Sequence, residues 1–278
     1  MTSRSIAFAN QKGGVGKTTT AVSMAACLAE RGQRTLLIDL DPQANATSAL
    51  GLEKLTGGSI YQALLGPAAL ADSIRPSGIE HLDVIPSEVD LAVAEVDVAR
   101  TENYLQRLRT AVNPIRALNR YDFILIDCPP SLGILTMNAL AAVDRVIVPI
   151  QCEYFALEGL AVIMRVIGQI KTSGANPELD ILGVIMTMYD GRTNLAQQVV
   201  GEVRRHLGDK VFKTLVPRTV RLAEAPSFGK PINIYDSGSY AAAVYRSLTE
   251  ELLARNAPPA AAPVVPPIKK ADVKPSLK

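Results

Sequence analysis

The stretch Lys12-Gly13-Gly14-Val15-Gly16-Lys17-Thr18-Thr19 stands between a short apolar run, Ser5–Asn10, and a segment, Thr18–Arg31, whose apolar residues recur at helical spacing until Gly32. Strand, glycine-rich turn and helix form the context that a phosphate-binding loop requires. Glycines let the backbone fold tightly enough to aim N–H groups at phosphate oxygens, and the helix that follows adds the positive end of its dipole. In such a loop Lys17 reaches the β- and γ-phosphates, and the Thr18 hydroxyl ligates Mg²⁺. The strict pattern GxxxxGK[ST] is not met, because Gln11 stands where its first glycine belongs; a second lysine, Lys12, opens the loop instead. Two lysines flanking three glycines repel each other unless a polyphosphate neutralises them, an arrangement that a plain connecting turn has no use for.

Outward from the loop, buried-strand signatures repeat. Thr35–Asp39 (TLLID), Phe123–Asp127 (FILID), Arg145–Pro149 and Ile181–Met188 are near-continuous apolar runs, as strands covered on both faces read. His81–Pro86 and Val211–Val216 are read as two further short strands. Helical patterns fall at Leu132–Ala142, Glu158–Ser173 and Tyr240–Arg255, and Leu91–Asn119 reads as mostly helical with a break near Pro114. Strands alternating with helices predict an α/β fold, a doubly wound and mostly parallel sheet flanked by helices. Residues 1–256 are read as one domain, and residues 257–278, with six prolines, four lysines and one acid, as a disordered tail.

Composition narrows the class. The 278 residues are 48% hydrophobic and carry 29 basic against 27 acidic side chains, a net +2. The tail accounts for 4 − 1 = +3, which leaves the body at 2 − 3 = −1, so any attraction to nucleic acid must come from a local patch. Cys27, Cys128 and Cys152 are widely spaced, and with only His81 and His206 beside them no zinc site is expected. No charged-then-apolar leader opens the chain, and no apolar run reaches the roughly 18 residues that cross a bilayer. A reducing, cytoplasmic setting is the expectation.

The octet resembles the deviant Walker A motif of the ParA/MinD superfamily, the P-loop NTPase class with a lysine at the loop's start. Leu37-Ile38-Asp39-Leu40-Asp41-Pro42-Gln43 is similar to that family's second acidic motif, and Ile126-Asp127-Cys128-Pro129-Pro130-Ser131 to its Walker B. Gln151–Gly159, Thr187–Thr193 and Pro217–Ser227 resemble later segments of the ParA/Soj branch, which partitions chromosomes and plasmids. The likeness runs from about residue 4 to about residue 255.

The resemblance implies a slow, partner-stimulated ATPase with ATP and Mg²⁺ as cofactors. It assigns Lys12, Lys17 and Asp41 to catalysis, Lys12 by crossing a nucleotide-sandwiched homodimer to the partner's phosphate as an arginine finger does. It places the nucleotide on residues 12–19 (Lys12, Gly13, Gly14, Val15, Gly16, Lys17, Thr18 and Thr19), with the adenine against Pro217 and Thr219. Relatives commonly carry Asn where Thr219 stands, and a hydroxyl lacks the paired donor and acceptor of an amide. Mg²⁺ falls to Thr18, and through water to Asp127 and Asp39. Asp41 orients the attacking water, at the strand ends where α/β sheets hold ligands.

Arg192, Arg221 and Lys230 are the implied contacts to non-specific DNA of the nucleoid, with Arg204, Arg205 and Lys210 able to extend the patch. Such binding weakens steeply with salt. The implied partner is a ParB/Spo0J-like centromere-binding protein that stimulates hydrolysis and releases the DNA. Other readings are an orphan positioner of a protein cluster, a DNA-coating scaffold with little turnover, and a MinD-like membrane-associated division-site ATPase. The last needs a basic amphipathic C-terminal helix, which the prolines 258, 259, 266 and 267 oppose. No membrane partner is expected.

Overall fold

A computed structural model describes residues 3–54, 60–66 and 68–256. The expected tail, 257–278, lies outside the described residues. Seven strands form one sheet: β1 (Arg4–Phe8), β2 (Thr35–Asp39), β3 (Arg75–Ile79), β4 (Leu82–Ile85), β5 (Phe123–Asp127), β6 (Arg145–Gln151) and β7 (Asp180–Thr187), in the spatial order β3-β4-β2-β5-β1-β6-β7. All pairings are parallel except β3 with β4. The apolar runs of β2 and β5 are buried along their whole length, as two-faced cover demands.

Helices cover both faces. On one side α1 (Lys17–Glu30), α2 (Asn45–Ala49), α9 (Val220–Glu224), α10 (Ile232–Tyr235) and α11 (Tyr240–Arg255) lie around a core that includes Phe8, Met24, Leu37, Phe123 and Tyr245. On the other are α3 (Ile60–Leu65), α4 (Leu91–Ala99), α5 (Arg107–Ala117), α6 (Ile134–Ala142), α7 (Ala156–Thr172) and α8 (Asn194–Leu207), over Ile38, Ile126, Val148 and Val184. Alanines fill α1, which lets it sit close to the sheet and to α11.

Two expectations are corrected. Residues 211–216 form no strand; Val211 only bridges Val184, and the Phe212 and Val216 amides donate to the Val184 and Met186 carbonyls. The helical stretch 91–119 breaks at residues 100–106, not at Pro114, which sits inside α5. Asn103, at φ 54°, turns the chain there, and Thr101 Oγ1 donates to the Val98 carbonyl to close the preceding helix. Edge strand β3 is an addition; its Pro76 and Gly78 hide it from any propensity argument.

Candidate functional site

The carboxyl ends of β1, β5 and β2 meet level, with Phe8 opposite Asp127 and Asp127 opposite Asp39. The phosphate loop leaves β1 at this crevice. Gly14 and Gly16 take φ of 74° and 84°, values that L side chains rarely adopt, and Gly16 opens α1. Two side chains brace the loop, one distant in sequence and one adjacent to it. Thr187 Oγ1, at the end of β7, donates to the Val15 carbonyl at 2.8 Å, and Asn10 Oδ1 accepts from the Lys12 amide at 3.0 Å. Lys17 is buried, and its Nζ donates to the Lys12 carbonyl at 3.1 Å. Burial lowers its pKa from the ordinary lysine value, against the opposing pull of Asp127, Cys128 and Asp41.

Asp127 is fully buried, and neither carboxylate oxygen has a hydrogen-bond partner among the described residues. The Thr18 hydroxyl lies close enough to favour the ionised form without making a well-formed hydrogen bond. Burial, and the neighbouring Asp39 carboxylate, push its pKa well above the carboxylate range. A buried carboxylate with both oxygens free, beside a hydroxyl and two further acids, is a donor set that fits a hard divalent cation.

Asp39 is spoken for. Its Oδ2 accepts from the Thr47 amide at 2.8 Å and the Thr47 hydroxyl at 2.7 Å, and its Oδ1 accepts from the Asp41 amide at 3.2 Å. Burial still holds its pKa up at about 6. Asp41, buried two residues on, accepts from the Gln43 amide at Oδ1, and its carbonyl accepts the Ser87 hydroxyl at 2.6 Å. The acidic turn is thus suspended from Asp39, Thr47 and Ser87.

Lys12 projects to the rim, where its Nζ lies 2.9 Å from Glu153 Oε2. The other oxygen of Glu153 accepts from Gln151 Nε2 at 2.6 Å and lies 3.5 Å from the Arg218 guanidinium. Beside the loop opens a cavity of about 300 Å³ bounded by Gly16, Thr187, Met188, Pro217, Thr219 and Tyr245. Pro217 and Thr219 therefore reach the same space as the loop. The Thr219 hydroxyl, however, caps α9 by accepting from the Arg221 amide at 3.3 Å.

The basic residues lie on adjoining segments, since Tyr189 bridges Pro217 and the Arg218 amide donates to the Tyr189 carbonyl. Arg192 is held bidentately by Asp190, which it keeps at a pKa of about 2, and Arg221 lies against Glu224 and Asp236. Lys230 is exposed near Thr18 and Asn45. Arg205 pairs with Glu202 and Lys210 with Asp180. The three cysteines are buried and free, and no helix among the described residues is long and apolar enough to cross a membrane.

Sequence reasoning missed Thr47, Ser87, Thr187, Met188 and Tyr245. The first three are small polar residues whose partners lie far along the chain, and Met188, at φ 52°, turns the backbone into the cavity. Only the position of Thr187 at the end of an apolar run hinted at the site.

A loop of this kind at the switch point of such a sheet defines a P-loop nucleotide-binding protein of the deviant Walker A class. Residues 3–181 match the model of an AAA domain family. The chromosome partitioning protein ParA of Myxococcus xanthus is 50% identical over 257 residues, 92% of this chain and 89% of that protein. The sporulation initiation inhibitor protein Soj of Bacillus subtilis is 50% identical over 250 residues, 90% of this chain and 98% of that protein. Among solved structures, cobyrinic acid a,c-diamide synthase from Mycobacterium smegmatis with bound ATP analog and magnesium superposes with a TM-score of 0.77. It is 35% identical, over 90% of this chain and 94% of that one. The chain belongs to the ParA/Soj family of chromosome-partitioning ATPases.

Proposed function

We propose that residues 1–256 form an ATP-driven switch that partitions DNA, with ATP and Mg²⁺ held at the crevice between β1, β5 and β2. The observation that carries this is Asp127, a buried carboxylate with both oxygens unpartnered beside Thr18 and Lys17. Asp127 and Thr18 would hold the cation, which when bound offsets the phosphate charge. Lys17, released from the Lys12 carbonyl, takes the β- and γ-phosphates, and the loop amides from Gly13 to Thr19 line the rest. Asp41 holds and orients the attacking water. Asp39 supports this turn through Thr47 and the Asp41 amide, and would reach the cation through water. The cavity at Pro217 takes the adenine, which stacks on apolar surface while Thr219 caps its helix.

Two subunits closing on ATP would bring Lys12 to the partner's phosphate. Its present contact with Glu153 is half exposed, and such pairs contribute about 0–1 kcal/mol, so exchange for a phosphate is cheap. The closed pair binds non-specific DNA through Arg192, Arg221 and Lys230, which places the protein on the nucleoid. Phosphate contact must displace Asp190 from Arg192 and Glu224 from Arg221, which makes the patch weaker than its residue count suggests. A ParB-like centromere-binding protein stimulates hydrolysis and release.

The test is ATP-dependent retention on a DNA surface, with phosphate release followed in parallel. Lys17→Ala is expected to abolish nucleotide uptake and retention, and Arg192→Glu to lose retention while still hydrolysing ATP. Retention of wild-type protein in the absence of nucleotide, or of Arg192→Glu at the wild-type level, would remove this reading.

A further inference from the structure

Thr19, Thr187, Thr219, Tyr245 and Arg218 are the polar side chains around the cavity of about 300 Å³ beside Gly16; the rest of its wall is glycine, proline and apolar side chains. Four of the five are hydroxyls. A hydroxyl proton rotates, so the group donates or accepts as its neighbour requires. Three of the four are already engaged. Thr187 Oγ1 donates to the Val15 carbonyl at 2.8 Å, Thr219 Oγ1 accepts from the Arg221 amide at 3.3 Å, and the Tyr245 hydroxyl lies 3.3 Å from Thr20 Oγ1. The fifth group, the Arg218 guanidinium, offers donors only. Among the described residues no carboxylate and no side-chain amide borders the cavity.

Adenine carries an amino donor where guanine carries the O6 acceptor, and a bare ring nitrogen beside it where guanine carries N–H. Telling the two apart takes a group of fixed polarity, or the paired donor and acceptor of an amide, against that edge. The backbone around the cavity is largely tied to itself. The amides of Tyr189, Val216 and Arg218 donate to the carbonyls of Val216, Met186 and Tyr189 respectively. A lone carbonyl accepts equally from the adenine amino group or from the guanine N–H. Arg218 leans the other way, because a guanidinium suits the O6 and N7 of guanine. It lies 3.5 Å from the half-exposed Glu153 carboxylate, a pairing that gives way cheaply. An apolar pocket rejects a near-isostere by about 10²-fold at most, whereas a site built on a fixed hydrogen bond rejects it by about 10⁴–10⁵. This cavity is of the first kind.

We infer that this chain takes GTP as well as ATP, and hydrolyses both. This rests on the reading above that the base enters the cavity, and it widens the substrate class of that same site. Lys17, Asp41 and the cation ligands face the phosphates, so the base counts only through binding. The step is the same for either nucleotide. A water oxygen bonds to the γ-phosphorus, the bond from that phosphorus to the bridging oxygen breaks, and the nucleoside diphosphate leaves with that oxygen. One water proton stays on the released phosphate and the other passes to solvent.

The experiment displaces a fluorescent ATP analogue from the full chain in Mg²⁺, with ATP and with GTP, and follows phosphate release from each in parallel. Half-displacement by the two nucleotides is expected within tenfold of each other, and so are the two rates of release. Lys17→Ala should bind and hydrolyse neither, which ties both activities to this site. Ala223→Trp fills the cavity from its exposed rim and should weaken both nucleotides at least tenfold. If that variant loses its thermal transition, Ala223→Leu replaces it. GTP that displaces the analogue more than tenfold less well than ATP, or that binds without phosphate release, overturns this inference and leaves the ATP switch standing. Release from GTP that persists in Lys17→Ala overturns it as well. An Ala223 variant that binds both nucleotides as wild type does overturns the placement of the base in the cavity, and this inference with it.

Discussion

Replacing Asp127 with Asn removes a charge and keeps the shape. In the nucleotide-free chain the Asp127 carboxylate is fully buried with both oxygens unpartnered. An unsatisfied buried acceptor costs about 1–3 kcal/mol, and more when charged. Lys17 loses part of its counter-charge in the variant, which offsets some of the gain. The free protein should therefore gain about 1–2 kcal/mol, or roughly 2–8 °C in Tm for a domain of this size. The sign follows from the raised pKa of Asp127. The folded state binds that proton more tightly than the unfolded chain, whose carboxyl titrates near 3.9. Its contribution is complete below that pH and is lost as pH rises through the folded value. The advantage of Asn should thus be present at pH 7.5 and shrink toward pH 4. Mg²⁺-ATP at a hundredfold excess over Kd should stabilise wild type by about 2.7 kcal/mol, and the variant by far less. The assay is thermal denaturation of both proteins, free and with Mg²⁺-ATP, at the two pH values. A free variant less stable than wild type at pH 7.5, or one with undiminished Mg²⁺-ATP stabilisation, would refute the assignment of Asp127 to the cation.

Thr47→Val removes one of the two bonds that Thr47 gives Asp39 and the acceptor of the Ser87 amide; urea denaturation should show a loss of about 1–3 kcal/mol. Phosphate release should slow with it, because the turn carrying Asp41 loosens. Gly183→Ala would drive a methyl group into the Phe212 ring and the Lys210 carbonyl beside the bulge between β6 and β7, and should cost about 1–3 kcal/mol in the same assay. Burial pushes the Cys27 thiol up to about 12 and the Cys152 thiol up to about 11, and raises Cys128 further. Native protein at pH 8 should accordingly leave a thiol-reactive dye almost unreacted, and denatured protein should consume three equivalents. Fast labelling of the native chain would contradict the burial.

The central strands were legible because burial on both faces leaves nothing but apolar residues: Thr35–Asp39 and Phe123–Asp127 were bounded to the residue. The phosphate loop was legible because its chemistry is local, with glycines and lysines adjacent in sequence. Strand β3 was not, since an exposed edge tolerates Arg75, Pro76 and Gly78, which carry no period. Residues 211–216 misled through their apolar character, which packs them against β7 by isolated bridges without a ladder. At the site, the motif gave Asp39 and Asp41 as a pair of acids. Only the fold shows that Asp39 is occupied by Thr47, eight residues away, and that Ser87, forty-six residues away, supports Asp41.

Glu153 is a shared anchor for two cations, Lys12 from the phosphate loop and Arg218 from the strip that borders the cavity beside Gly16. Departure of either leaves the carboxylate's negative charge undivided for the other. If Lys12 leaves for a neighbour's phosphate, as proposed above, Arg218 would have Glu153 to itself beside Pro217. On that reading, pairing of two subunits would reach the cavity beside Pro217 through one shared carboxylate, with no moving part larger than one side chain.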